Sequence, residues 1–478
     1  MSGPTVEFFA FSLVVILVYN LARLAAYREV ILLVASLIFL VSFSQEPASF
    51  APFVGFLGAG YLALQLVRKS PDIAFVPALF AILILFVWLK KYAFVPADLW
   101  LTMPYITIGM SYILFRLVHL LIETRYHTLT DRIRPTEYLA YLLNFTTLVA
   151  GPIQRYEDFA SQRATTDKGR LTSAEISIAL ERIAIGLFKT NVLATVLSFT
   201  RASSLERVIG NCGADGSIAD GVAIFALYPL FLYFNFSGYI DIVLGIARLL
   251  RRQLPENFNR PFSSTSFVDF WNRWHMTLSL WLRTYVYMPL LMTLARRFPS
   301  RALESTWAVI AFFVTFFLVG VWHGQTLEFL FFGFLQGFGV SANKVYQLSM
   351  QRYLGKKRYA RVAKYPLYIA IARGLTIAWF TFTLWWFWGS WTQVSQITNA
   401  LGMKQLAGIW VVIICGATAL LWAWESVREY VLESVWSRCS RVQGLVIRVS
   451  WSMALIGVVA AVALLSNQPA PEIVYKAF

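Results

Sequence analysis

Apolar residues run along this chain in blocks, and the polar residues collect in the gaps between them. The blocks predict helices near 7–22, 30–44, 52–67, 73–89, 103–121, 138–153, 174–199, 221–248, 305–322, 327–346, 366–389, 408–424 and 446–466. Crossing the hydrocarbon core takes roughly 20 apolar residues in a helix. Several blocks are shorter, and a short or interrupted segment at that depth is tolerated only where protein buries it or it lines a wet cavity. The pattern therefore predicts an all-α polytopic membrane protein with about 11–13 membrane helices plus re-entrant and interfacial helices. The segment 201–219, RASSLERVIGNCGADGSIA, reads as an exposed extracytoplasmic loop.

Composition agrees. Hydrophobic residues make up 58% of the 478 positions, and charged residues 14%, against roughly 25% in soluble domains. The high aromatic content suits repeated crossings of the membrane interface. The net charge of +16 sits largely in short loops, as retention of cytoplasmic loops requires, so nucleic acid is not an expected partner. Arg23 and Arg28 follow the first helix, Arg68 and Lys69 the third, and the Arg-rich ETRYHTLTDRIRPTE the fifth, while SQEPAS after the second is free of Lys and Arg. This alternation places the N-terminus outside and the basic loops inside. Lys90 and Lys91 break it, but they end a helix from which long side chains can snorkel. Three cysteines without a CxxC pair argue against a disulfide framework or a metal site. The first apolar run lacks a basic leader and a small-residue cleavage site, so it reads as a retained helix. With no linker or repeat in view, residues 1–478 read as one domain.

Ionisable groups inside such blocks are costly, so each raises a functional question. In NFTTLVAGPIQRYEDF (144–159), Gly151–Pro152 breaks an apolar helix just before Arg155. The segment is either a helix end with interfacial charges or a re-entrant bend lining a polar cavity. In YFNFSGYIDIVLGIARLLRRQLPENFNRPF (233–262), Asn235, Ser237 and Asp241 interrupt a long apolar run, and a structural reading pairs Asp241 with Arg155 or Arg273. In FVDFWNRWHMTLSLWLRTYVYMPL (267–290), Trp271, Trp274, His275, Leu278, Trp281, Leu282 and Tyr285 keep helical spacing. Asn272, Arg273, Ser279 and Arg283 lie largely off that stripe, as in an interfacial amphipathic helix. Finally, FFVTFFLVGVWHGQTLEFLFFGFLQG (312–337) places His323 at a helix break between Trp322 and Gly324. A low-dielectric setting favours the neutral imidazole, the form a general base needs. Taken singly, His275 reads better as a hydrogen-bonded structural histidine, and a lone histidine at a helix break is often structural too, although the setting of His323 is suggestive.

Together, WNRWHMTLSLWLRTYVYMPL, GVWHG, AGPIQRY and YFNFSGYIDI…PENFNRPF resemble the membrane-bound O-acyltransferase (MBOAT) family, in its bacterial polysaccharide- and cell-wall-acylating branch. The resemblance spans 144–337, the motif-bearing core, in order and with normal spacing. It implies a ring of tilted membrane helices around a central funnel, with His323 catalytic and His275 a second active-site residue. Asn272, Arg273, Trp274, Trp322, Ser237, Asp241 and Arg155 join them as candidate substrate-binding residues, although Arg155, Arg273 and Arg283 read more readily as braces. FWNRWHMTLS lies closer to teichoic acid D-alanyl transfer proteins than to the WRRWHISLS of alginate-type O-acetylases, whereas AGPIQRY and NFNRPF fit both.

The expected chemistry is transfer of an acetyl or D-alanyl group from a thioester donor to a hydroxyl of an extracytoplasmic glycan or partner protein. The donor is acyl-CoA or an acyl carrier protein, with no tightly bound cofactor. Membrane lipid and a secreted or membrane-anchored accessory transfer protein are the expected partners, and the bacterial inner membrane the location. A polysaccharide or lipid transporter, or a scaffold whose partner does the chemistry, is the alternative. A transporter is expected to show repeats and a midplane carboxylate pair, and Asp241 is the one strong carboxylate candidate here.

Overall fold

A backbone at membrane depth must satisfy its own N–H and C=O groups, which turns long apolar stretches into helices. The computed structural model of the chain describes residues 5–22, 24–129, 132–165, 171–210, 217–300, 302–428, 430, 441–466 and 471, and the regular structure among them is helical. The chain clusters into two compact units. The first comprises Met1–Leu187, Gly238–Pro255 and Glu472–Phe478. It carries α1 (Val6–Leu21), α2 (Ala25–Val41), α3 (Ala51–Lys69), α4 (Pro71–Leu89), α5 (Met110–Arg125), α6 (Pro135–Leu143), α7 (Tyr156–Thr165) and α8 (Ser173–Phe188, less its last residue). The second comprises Phe188–Ser237 and Glu256–Pro471. It carries α9 (Ala194–Ile209), α10 (Ile218–Leu249, whose residues from Gly238 belong to the first unit), α11 (Phe267–Trp271), α12 (Met276–Leu282), α13 (Met288–Arg297), α14 (Glu304–His323) and α15 (Leu327–Leu354). It continues with α16 (Lys356–Val362), α17 (Pro366–Thr383), α18 (Trp385–Trp388), α19 (Trp391–Val427) and α20 (Arg441–Ser466).

The all-α polytopic expectation holds. Seven helical segments among the described residues are long and apolar enough to cross a membrane. Other expected helices are present but too short to cross alone, among them α1 and α5 with 16 residues each. Within its crossing window α10 is 78% buried, against 17% for α19, so the segment carrying Asn235, Ser237 and Asp241 is covered by protein rather than by lipid.

Several local readings change, and the block expected over 103–121 becomes helical only from Met110. The helix expected over 138–153 ends at Leu143, eight residues before Gly151–Pro152. Asn144 stops it by turning its side chain onto the chain that follows: Oδ1 accepts from Thr146 Oγ1 at 2.9 Å, a local bond that competes with helix propagation. The irregular backbone beyond is buried, and Arg116 serves it. That guanidinium, itself fully buried, donates to the carbonyls of Tyr141, Leu142 and Thr147 at 3.1, 2.8 and 2.8 Å. His119 Nε2 accepts from Tyr156 N at 3.1 Å and so pins the start of α7. Residues 201–209, expected in a loop, continue α9, while 211–216 lie outside the described residues. Arg201 lies 3.9 Å over the Trp388 ring and donates to the Ile224 carbonyl at 3.1 Å. Packing of the long stem and the planar cation against aromatics turns an apparent loop cation into a helix contact.

α14 and α15 form an antiparallel hairpin brought close by small residues. A Cβ at Gly320 would sit 2.3 Å from the Phe329 carbonyl oxygen and 2.4 Å from Gly333 Cα.

Candidate active site

Asn257–Asn259 and the chain around His275 are stitched together by backbone bonds. Met276 N donates to the Asn257 carbonyl at 2.9 Å, and Asn259 N donates to the Arg273 carbonyl at 2.9 Å. Asn257 Oδ1 accepts from Thr277 Oγ1 at 2.6 Å and from Thr277 N at 3.3 Å. The expected single amphipathic helix over 267–290 is therefore divided. α11 ends at Trp271, α12 begins at Met276, and a π-helical turn follows over Arg283–Tyr287. Local periodicity carries no signal of these bonds, which come from a segment about 20 residues upstream. His275 caps α12 at φ 44°, ψ 54°, a left-handed conformation that costs a non-glycine residue roughly 1–2 kcal/mol. Strain of this kind persists where surrounding bonds enforce it and gathers at functional positions.

Both histidines end or begin helices, and both are buried: His275 fully, His323 at 2% exposure. His323 is the last residue of α14, with Gly324 extended after it, as the expected helix break requires. The two imidazoles pack against the same indole. The His275 ring centroid is 6.0 Å and that of His323 4.5 Å from Trp322. Phe236 covers His275 at 5.0 Å; Phe387 and Phe332 cover His323 at 5.0 and 5.9 Å. Trp274 packs against Phe258 at 5.2 Å, Phe270 at 5.5 Å and Phe380 at 5.1 Å, and Phe258 in turn packs on Phe236 at 5.2 Å. His275 lies in none of the seven crossing segments, and burial pulls its pKa down to about 3, so it carries no charge at neutral pH. Three polar side chains of this unit keep uncommitted hydrogens. Ser237 Oγ, Asn257 Nδ2 and Trp271 Nε1 are buried and have no hydrogen-bond partner among the described residues.

Other candidates stand elsewhere. Asn272 is exposed at the end of α11. Arg273 forms an i,i+4 pair with Asp269 at 3.0 Å, rather than with Asp241, and its backbone holds the loop at Asn259. Arg283 is exposed at the start of the π-helical turn instead of bracing the site. Asp241 and Arg155 belong to the first unit. Asp241 accepts from Arg182 Nε at 3.0 Å, rather than from Arg155, and Arg155, half-buried, opens α7. Sequence reasoning missed Asn257 as the latch of the His275 turn, though PENFNRPF contains it. It also missed Phe236, Phe387 and the Gln336–Thr383 pair, 2.7 Å apart and one turn along α15 and α17–α18 from the rings that cover His323. Among the described residues no group of three or more His, Cys, Asp or Glu side chains could hold a metal ion.

Crossing helices that enclose two imidazoles on one indole define a polytopic membrane protein with a sequestered histidine site. The chain belongs to the MBOAT, membrane-bound O-acyltransferase, family, which matches residues 72–369. It is similar to the teichoic acid D-alanyltransferase of Bacillus subtilis (strain 168), 29% identical over 228 residues that cover 47% of this chain and 56% of the relative. It is also similar to the peptidoglycan O-acetyltransferase of Helicobacter pylori, 29% identical over 45% of this chain and 39% of the relative. A probable alginate O-acetylase of Pseudomonas syringae pv. tomato is 30% identical over 53% of this chain and 46% of the relative. In each case the match spans less than two thirds of the relative's length.

Proposed function

We propose that the chain is an O-acyltransferase of the bacterial cell envelope, acting as one functional domain in the cytoplasmic membrane with its N-terminus outside. It moves an acetyl or D-alanyl group from a cytoplasmic thioester, on coenzyme A or an acyl carrier protein, to a hydroxyl of an extracytoplasmic glycan or of an accessory transfer protein. The observation that carries this reading is the pairing of His275 and His323 on Trp322, buried in a chain of this family. The named relatives act on teichoic acid, peptidoglycan and alginate.

In this mechanism neutral His323 takes the proton of the attacking hydroxyl as its oxygen bonds to the thioester carbonyl carbon. The carbonyl oxygen gains negative charge, and the His275 N–H donates to it. The carbon–sulfur bond then breaks, and the leaving sulfur takes the proton from His323, which returns to its neutral form. The aromatic cover of Phe236, Phe332 and Phe387 keeps water from the thioester.

The test is transfer by the purified full-length protein with acetyl-CoA and with a D-alanyl carrier protein, each supplied with a hydroxyl polymer. Transfer from one donor is expected, and His323→Ala is expected to lower kcat at least about 100-fold. Transfer from neither donor, or wild-type turnover in that variant, contradicts the proposal.

A further inference from the structure

The second unit holds a groove of about 610 Å³ that lies apart from the two histidines, between α15, α16, α17 and the start of α11. Phe338, Leu375 and Trp379 line one end, with Phe338 and Trp379 rings 5.9 Å apart. At the other end three tyrosine hydroxyls meet: Tyr368 lies 3.3 Å from Tyr359 and 3.5 Å from Tyr346. Two turns of α15, about 12 Å, separate Phe338 from Tyr346. Three phenols supply three O–H donors. The two contacts between them use two, which leaves one donor for another acceptor.

The charge around this end is one-sided. No Asp or Glu lies between Glu328 and Glu425, while Arg352, Lys356, Lys357, Arg358, Arg361 and Lys364 fall within 13 residues. All six are exposed. This run immediately precedes the crossing segment that begins at Pro366, which places it at the cytoplasmic surface. The neighbouring outer surface is apolar: Phe338, Tyr346, Ile371 and Leu375 are 45–50% exposed, as side chains that face acyl chains are. An apolar trough with a hydroxyl cluster and a cationic rim matches one kind of molecule from head to tail.

We propose that this groove binds an anionic phospholipid of the cytoplasmic leaflet. Its phosphate accepts the spare tyrosine hydroxyl beneath the cations of α16, and one acyl chain lies along Leu375, Phe338 and Trp379. Basic clusters next to a membrane helix attract acidic headgroups. The hydroxyl cluster adds a directional contact that surface charge alone lacks. The proposal does not depend on the acyl-transfer reading, since lipid binding is measured without turnover.

The test uses the full chain, delipidated in a neutral detergent and titrated with phosphatidylglycerol or phosphatidylcholine, with bound lipid read by native mass spectrometry. Phosphatidylglycerol is expected to bind at least tenfold more tightly. The Tyr359→Phe/Tyr368→Phe pair is expected to weaken it about tenfold, as loss of a hydrogen bond to a charged group does. Lys357→Glu/Arg358→Glu/Arg361→Glu is expected to weaken it roughly 100-fold. Ala342→Trp, which fills the groove from an exposed position, is expected to abolish it and guards against misfolding of the tyrosine variant. Equal binding of the two lipids overturns the proposal, as does an undiminished preference in the tyrosine and Ala342→Trp variants. If the triple Glu variant loses only the binding of an acidic acyl carrier protein and keeps its lipid preference, the surface is a protein dock and the proposal fails.

Discussion

Asn257→Ala removes the latch on the His275 turn. The side chain is fully buried and accepts two bonds from Thr277, at 2.6 and 3.3 Å. At about 1 kcal/mol net for each bond, and more where a buried donor is left unpaired, the loss is about 2–3 kcal/mol. The backbone bond from Met276 to the Asn257 carbonyl survives the substitution, so the segment stays attached while its geometry loosens. His275 at φ 44° then regains roughly 1–2 kcal/mol by leaving the left-handed region, which depopulates the reactive arrangement about tenfold or more. The expected result is a midpoint of thermal unfolding lower by a few degrees, kcat for acyl transfer down at least about tenfold, and KM for the donor little changed. Thr277→Val removes the same contact from its other side, so the double variant is expected to fall short of additivity by about 1 kcal/mol. If Asn257→Ala unfolds earlier yet keeps kcat within about twofold, the latch does not position a reacting group. If Thr277→Val also shows no coupling, the contact does not hold the turn at all.

Other predictions follow from the same structure. Gly320→Ala drives a methyl into the Phe329 carbonyl and Gly333 and is expected to cost about 1–3 kcal/mol, read as earlier thermal unfolding in detergent. Arg116→Met strips three buried carbonyls of their donor and is expected to cost about 3 kcal/mol or more by the same measurement. Lys90 lies just beyond α4, and burial lowers its pKa to about 8 from an unfolded value near 10.4. Its folded pKa is the lower one, so the unfolded chain binds more protons, and stability rises with pH between about 8 and 10.4. Lys90→Met is therefore expected to stabilise the protein at pH 7 by about 3 kcal/mol and to remove that rise, seen as a smaller difference between unfolding midpoints at pH 7.5 and 9.5.

Elements governed by their own residues were legible in the sequence. Most of the long apolar blocks and the break at His323–Gly324 follow from hydropathy and glycine, and helices stand there, but Arg28, read as a loop cation, lies buried within α2. Elements governed by distant partners were not. The division of 267–290 depends on Asn257 and Asn259, the end of α6 on Asn144, and the course of 201–209 on Arg201 against Trp388. Asp241 illustrates the same limit: its need for a cation was readable, but Arg182 rather than Arg155 or Arg273 supplies it. The pairing of His275 with His323 across Trp322 could not come from periodicity, because 48 positions and several helices separate them. It was approachable only through the resemblance of whole motifs to a family.

The most direct test of the central claim is single-turnover transfer by the full-length protein with His323→Gln and His275→Gln, each checked for an unchanged unfolding midpoint. Glutamine keeps a polar group of similar reach but takes up no proton at neutral pH. The account predicts that His323→Gln slows the acyl-transfer step by at least about 100-fold while donor binding persists, and that His275→Gln, which keeps an N–H donor, loses less. A folded His323→Gln protein that transfers at the wild-type rate would contradict it.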